Sequence, residues 1–283
     1  MLTHNYMLKA LGIGLILAVL AGVTVAADLS GVRARAFVVA EIDGTVLLER
    51  NSTAVRPIAS ITKLLVAEQL ASRVDPAALV KISNADLVST RAHMSPGDQV
   101  SQHQLLVASL VASNNAAIHA LARHHDMPSI ITATNNAAAE RGLSTIHVEE
   151  PTGLSSANRA SAADLVRWIA LVYTSKFAQL STEPTAELPR ALALSTNPLL
   201  RQPGWNFSLS KTGWTWPAGG CLVAVVDMGA RPVIVVILGS TSVASRWQDL
   251  MILRRAISAD QFFTGPISRP VHHSHHKKSR RPA

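Results

Sequence analysis

Apolar, β-branched runs cluster at both ends of this chain, with a long helix-forming stretch between them, and this arrangement restricts its fold more than any other feature. Near the N-terminal end, 36–42 and 45–48 meet at Asp43-Gly44, a strong hairpin signal. Near the other end, 205–211, 221–227 and 233–238 are separated by Gly219-Gly220 and Gly229-Ala-Arg-Pro232, which predicts an antiparallel meander. Strands at both ends around a helical middle predict one mixed sheet with a helical subdomain inserted. The middle supplies a helix from near Ser60 and a Leu/Ala-rich helical stretch over 105–122. A helix over 130–141 is ended by Gly142, and one over 161–173 is opened by Ser161 with Asp164 in its first turn. The segment 181–198 carries Pro184, Pro189 and Pro198 and reads as loop. A terminal helix over about 242–258 closes the domain, and no internal repeat is evident.

At 283 residues and 48% apolar content, the chain can bury one sizeable core or two intimately packed subdomains. Its net charge of +8 is unevenly placed. Arg269, Lys277, Lys278, Arg280 and Arg281 fall in a tail without acids, so the body is almost neutral and a nucleic-acid-binding face is disfavoured. That tail, over 261–283, reads as basic and disordered, and could hold the protein near anionic polymers. Its His272, His273, His275 and His276 could bind a metal adventitiously, but a flexible polybasic segment is the plainer reading. His124-His125-Asp126 reads as a helix-terminal polar cluster and not a metal site, because adjacent helical positions diverge by about 100°. No metal or other cofactor is implied.

Lys9 precedes an apolar run from Ala10 to Ala27 that ends in small residues, which predicts a cleaved export signal over 1–27. An uncleaved membrane anchor is the competing reading, and either places the domain 28–260 outside the cytoplasm. The lone Cys221 excludes an internal disulfide and reads as a buried strand residue.

Ser-x-x-Lys occurs at Ser60/Lys63, Ser208/Lys211 and Ser274/Lys277, and geometry chooses among them. Residues three apart share a helix face but point to opposite faces of a strand, and a disordered tail holds no geometry. Ser60/Lys63 remains. Lys63 lies on a helix apolar nearly all round, so it must be paired or shifted towards its neutral form, unless it snorkels to the surface. A serine hydroxyl needs such a base to become a nucleophile. Among the Ser-x-Asn matches, Ser113/Asn115 stands where two asparagines interrupt a helical run, opening a break whose side chains can face a cleft. Ser113 could relay a proton towards a leaving amine, and Asn115 could orient Lys63 and hold a substrate amide. Lys211-Thr212-Gly213 on an edge strand would offer positive charge, a hydrogen-bond donor and close backbone approach. Backbone N–H groups of Ser60 and Trp214 would form an oxyanion hole. Trp205, Trp214 and Trp216 flank this strand and either line the cleft or pack.

Ser60-Ile-Thr-Lys63, Ser113-Asn-Asn115 and Lys211-Thr-Gly213 resemble, in that order, the three signatures of penicillin-binding proteins and serine β-lactamases. Arg56-Pro-Ile-Ala-Ser60, Glu150-Pro-Thr-Gly-Leu-Ser155 and Ala218-Gly-Gly-Cys-Leu-Val223 are similar to the low-molecular-mass D-alanyl-D-alanine peptidases, above all the penicillin-binding protein 7-like endopeptidases. The resemblance spans about 35–257 and implies an α/β (mixed) fold, β-lactamase/DD-peptidase-like, with an antiparallel sheet flanked by helices. A helical lobe over about 75–180 would be inserted, with the site between lobe and sheet. It also implies a Ser60 acyl-enzyme hydrolysed by water, peptidoglycan stem peptides and cross-links as substrate, and β-lactams as inhibitors trapped on the same serine. A carboxypeptidase trimming terminal D-alanine is the runner-up; a β-lactamase or an inactive wall-binding relative is more remote. Asn114 replaces an acidic or small residue common in relatives, without a catalytic role assigned to it. The chain ends soon after the terminal helix, without the extra β-domain and anchor of many carboxypeptidase relatives.

Overall fold

The computed structural model describes residues 28–89, 93–229 and 231–259. The export signal expected over 1–27 and the basic tail over 261–283 lie outside the described residues.

Strands β1 (Ala36–Glu41) and β2 (Val46–Arg50) form the expected hairpin. The short β3 (Arg56–Pro57) and a single 3-10 turn, Ala59–Ile61, lead directly into α1 (Thr62–Ala71). A small hairpin of β4 (Leu79–Lys81) and β5 (Gln99–Ser101) precedes α2 (Gln102–Val111), α3 (Asn115–His124) and α4 (Met127–Glu140). Then come β6 (Arg159–Ala160), which pairs with β3, and the helices α5 (Ala162–Val172) and α6 (Lys176–Leu180). The hairpin β7 (Thr185–Leu188) and β8 (Ala191–Leu194) is followed by β9 (Phe207–Thr215), β10 (Gly219–Met228), β11 (Arg231–Ser240) and α7 (Ser245–Ala259).

The main sheet has the order β2-β1-β11-β10-β9, so the two ends of the chain meet where β1 pairs with β11. Its pairing is antiparallel throughout and not mixed. Tight turns impose this within the hairpin and the meander, and the returning chain brings β11 against β1 in the same sense. The central strands are buried on both faces, which explains their unbroken apolar sequences. Val223, Val225, Ile234 and Val236 face the core shared with α1, α2, α3 and α5. Leu222, Ala224, Val235 and Ile237 face a second core closed by Leu250, Leu253 and Ile257 of α7.

The segment 181–198 departs from the loop expectation by forming β7 and β8. Pro184 precedes β7, Pro189 lies in the turn and Pro198 opens a 3-10 turn, so no proline interrupts a ladder. The break expected in the helical run is present. Ser113 adopts φ +57°, and the Asn114 side chain accepts from the Ala117 amide to open α3. His124 and His125 close α3, both within hydrogen-bond reach of Gln102.

Candidate active site

Three segments distant in sequence meet at the start of α1. Burial takes in Thr62, Lys63, Leu64, Leu65, Val66, Ala67 and Leu70, so this helix has almost no polar face to spare for Lys63. The lysine does not snorkel: it is 0% exposed. Its Nζ lies 2.9 Å from Ser60 Oγ and donates to Asn115 Oδ1 at 2.7 Å and to the Thr152 carbonyl at 2.5 Å. Burial lowers its pKa from 10.5 to about 7, opposed by the charge of Glu150. A neutral amine has two N–H donors and one lone pair. Asn115 and Thr152 occupy the donors, which leaves the lone pair for the Ser60 hydroxyl. That is the disposition a base needs to take the serine proton.

Ser60, Ser113, Asn115, Thr212, Gly213 and Trp214 line one cavity of about 410 Å³. Six of the eight residues expected at the site therefore share a wall, while Lys63 and Lys211 are buried outside it. Lys211 lies on β9, at the edge of the main sheet, and its Nζ donates to the Thr212 carbonyl at 3.1 Å. Burial, then the positive charges of Lys63 and Arg246, push its ammonium well below the ordinary lysine range. Near neutral pH the cleft keeps the charge of Arg246, and a bound anion would favour the ammonium form of Lys211. Thr212 Oγ1 donates to Thr196 Oγ1 at 2.7 Å. A Cβ on Gly213 would stand 3.0 Å from the Ser60 nitrogen, so β9 and the start of α1 are as close as a glycine permits.

Two contributors had no role in the sequence reading, although the Glu150–Ser155 segment carried part of the resemblance. Arg246, at the start of α7, lines the cavity and donates to the Gly213 carbonyl at 2.9 Å, while its Nε is buried without a partner. Its signal was a cation in a helix's first turn, where the dipole disfavours one. The other is the loop that carries Thr152. The Glu150 carboxylate accepts from the Thr152, Gly153 and Ser155 amides, from Thr152 Oγ1 and from Asn158 Nδ2. The carboxylate thus folds the loop that presents the Thr152 carbonyl to Lys63. A Cβ on Gly153, at φ +81°, would lie 2.1 Å from the Ala59 carbonyl oxygen. Gly153→Ala should therefore cost about 2–4 kcal/mol and lower Tm by roughly 4–15 °C, by strain and backbone clash. It should also slow acylation by a penicillin, because the loop must retreat from Ser60 and Lys63. Calorimetry and stopped-flow labelling would check both; an unchanged Tm would contradict the close packing.

The tryptophans separate. Trp214 lines the cleft and Trp216 is 90% exposed, whereas Trp205 stacks on Phe207 at 5.7 Å beside the α7 core. Cys221 is a buried strand residue whose thiol burial raises to about 11.

The family model described as D-alanyl-D-alanine carboxypeptidase matches residues 22–242. The chain belongs to this family. It is a serine-type D-Ala-D-Ala peptidase of the low-molecular-mass penicillin-binding kind. The D-alanyl-D-alanine endopeptidase of Pseudomonas aeruginosa is 31% identical over 243 residues, covering 80% of this chain and 77% of the relative. Among solved structures, a D-alanyl-D-alanine carboxypeptidase from Mycobacterium tuberculosis matches with TM-score 0.71 and 27% identity, covering 80% of this chain and 91% of that one. Penicillin-binding protein D2 from Listeria monocytogenes, solved with ampicillin bound, matches with TM-score 0.69 and 26% identity over 80% and 97% of the two chains. This family member shares that overall fold over 80% of its length.

Proposed function

We propose that this family member is an endopeptidase that hydrolyses the D-alanyl cross-links between peptidoglycan stem peptides, with Ser60 as nucleophile. The observation that carries it is the Lys63 amine, buried, lowered to about 7 and placed 2.9 Å from Ser60 Oγ. Lys63 takes the serine proton as Oγ attacks the D-alanyl carbonyl. The backbone N–H groups of Ser60 and Trp214 receive the oxyanion, and Ser113 passes a proton to the leaving amine. Asn115 holds Lys63 and the substrate amide. Lys211, Thr212 and Arg246 attract a substrate carboxylate. Water then releases the acyl group from Ser60. β-Lactams acylate the same oxygen.

The endopeptidase preference is supported by the Pseudomonas relative, which carries that name, while the family model carries the carboxypeptidase name. The two reactions use the same groups, so products must separate them. Purified enzyme given cross-linked muropeptide dimers and, separately, monomeric pentapeptides should convert dimers to monomers. Shortening of the pentapeptides alone would make it a carboxypeptidase. A β-lactamase needs a way to activate the deacylating water, such as a glutamate beside the acyl-ester; the Glu150 carboxylate instead accepts from five donors of its own loop and of Asn158.

The same reading takes 1–27 as an export signal, 28–260 as the catalytic domain with its helical lobe at about 75–180, and 261–283 as a basic tail near anionic wall polymers. The substrate places the enzyme outside the cytoplasm. Among the described residues no helix is long and apolar enough to cross a membrane.

A further inference from the structure

Beyond Gly213, β9 runs on through Trp214 towards the turn that joins it to β10, and a second cavity opens there. Arg35, Arg56, Trp214, Trp216, Ser240 and Thr241 contribute to its lining, around a volume of about 130 Å³. Four arginines of the domain, Arg123, Arg141, Arg167 and Arg190, pair with acids, and Arg50 donates to two backbone carbonyls. Among the described residues, Arg35 and Arg56 have no acid within ion-pair distance, and Arg56 Nε is buried without a hydrogen-bond partner. Burial, then the neighbouring charge of Arg35, lowers the pKa of Arg56. Asp249 meets this lining through Ser240 Oγ, and its carboxylate also accepts from the Arg33 amide. Two like charges converging on a hollow, with donors left over, are a receptor for an anion.

We propose that this hollow is a carboxylate-binding subsite for a substrate peptide lying along the outer edge of β9. Its occupant rests on the peptidase reading above. Trp214 forms part of both cavities, so they adjoin at one side chain. β9 is the sheet's edge strand, and an extended peptide paired with such an edge advances about 3.3 Å per residue. A chain whose reacting carbonyl sits between Ser60 and Gly213 passes Trp214 and delivers an acidic group near the bond to the two guanidiniums. Trp216, 90% exposed and 5.9 Å from the Trp214 ring, gives the passing chain an apolar wall. The subsite would select cross-linked peptides with a free carboxylate over their amidated forms. A small β-lactam, confined to the first cavity, would not sense it.

The test needs two probes: a cross-linked muropeptide dimer with free carboxylates, and the same dimer with those carboxylates amidated. Binding is measured by calorimetry on the Ser60→Ala protein, which cannot turn the probe over. The free-carboxylate dimer should bind about tenfold or more tightly than the amidated one, as charge-assisted bonds to a guanidinium allow. Adding Arg35→Glu should erase that difference, and Arg56→Lys, which keeps charge but loses the planar fork, should reduce it. In the active enzyme, Arg35→Glu should raise KM for the free-carboxylate dimer by the same factor, leaving kcat and penicillin acylation within about twofold. Equal affinity for the two dimers, or an equal loss on both in Arg35→Glu, overturns the subsite. If wild-type enzyme cleaves neither dimer but the Ser60→Ala protein still distinguishes them, the endopeptidase reading falls and the subsite stands.

Discussion

Ser60→Ala should abolish covalent labelling by a fluorescent penicillin and lower hydrolysis of cross-linked peptides at least about a thousandfold. The loss follows from the chemistry: no other described hydroxyl combines a position in the cleft wall with Lys63 Nζ at 2.9 Å. The fold should survive the change. Ser60 Oγ contributes one contact to Lys63 and a long one, 3.5 Å, to the Thr152 carbonyl, so its removal should cost no more than about 1 kcal/mol. An unaltered Tm beside a blank fluorescent gel is the expected pair of results. A labelled Ser60→Ala protein would sink the assignment, because a second nucleophile would then be acting.

Lys63→Met should come close to the same loss of acylation, about a hundred- to ten-thousandfold, with the core volume nearly kept. Lys63→Arg should not restore the rate, because a guanidinium stays protonated and cannot accept the serine proton. The pH dependence carries the sign. With its pKa at about 7, Lys63 is a base only above that value, so wild-type acylation should rise through pH 7 and then level. Stability should show the same group. Between about 7 and 10.5 the unfolded chain holds a proton on this lysine that the folded one does not. The protein therefore gains stability as pH rises through that window, and Lys63→Met should flatten the gain. Lys211 adds an opposite trend in binding. Burial and nearby cations disfavour its ammonium, a substrate carboxylate restores it, and kcat/KM should fall as the solution becomes alkaline. A rate independent of pH between 6 and 8 would remove Lys63 from the base's role.

Much of the site was legible because it depends on short-range rules. The helical spacing of Ser60 and Lys63, the apolar circumference of α1 and the asparagine-marked break at Ser113 each concern a few neighbouring residues. Only the fold could show that Lys63 meets Asn115, 52 positions away, and the Thr152 carbonyl, 89 positions away. A backbone carbonyl has no side-chain signature, so Thr152 was invisible, and with it the use of Glu150 as the carboxylate that shapes its loop. The β7–β8 hairpin was missed for a different reason. Prolines in 181–198 signalled interruption, yet each stands outside a ladder, where its missing N–H costs nothing.

The sequence alone determined the strands of the main sheet and the helices of the middle, that Lys63 must be paired or neutral if it is buried, and which three motifs can cooperate. Those outcomes follow from side-chain periodicity and from the cost of burying an ion. Tertiary structure alone decided how close β9 comes to the start of α1, that Arg246 joins the cleft, and that Arg35 and Arg56 line a hollow with no ion-paired acid among the described residues. Distances between segments far apart in the chain are set by the packing of two cores against one sheet, and no local pattern encodes them.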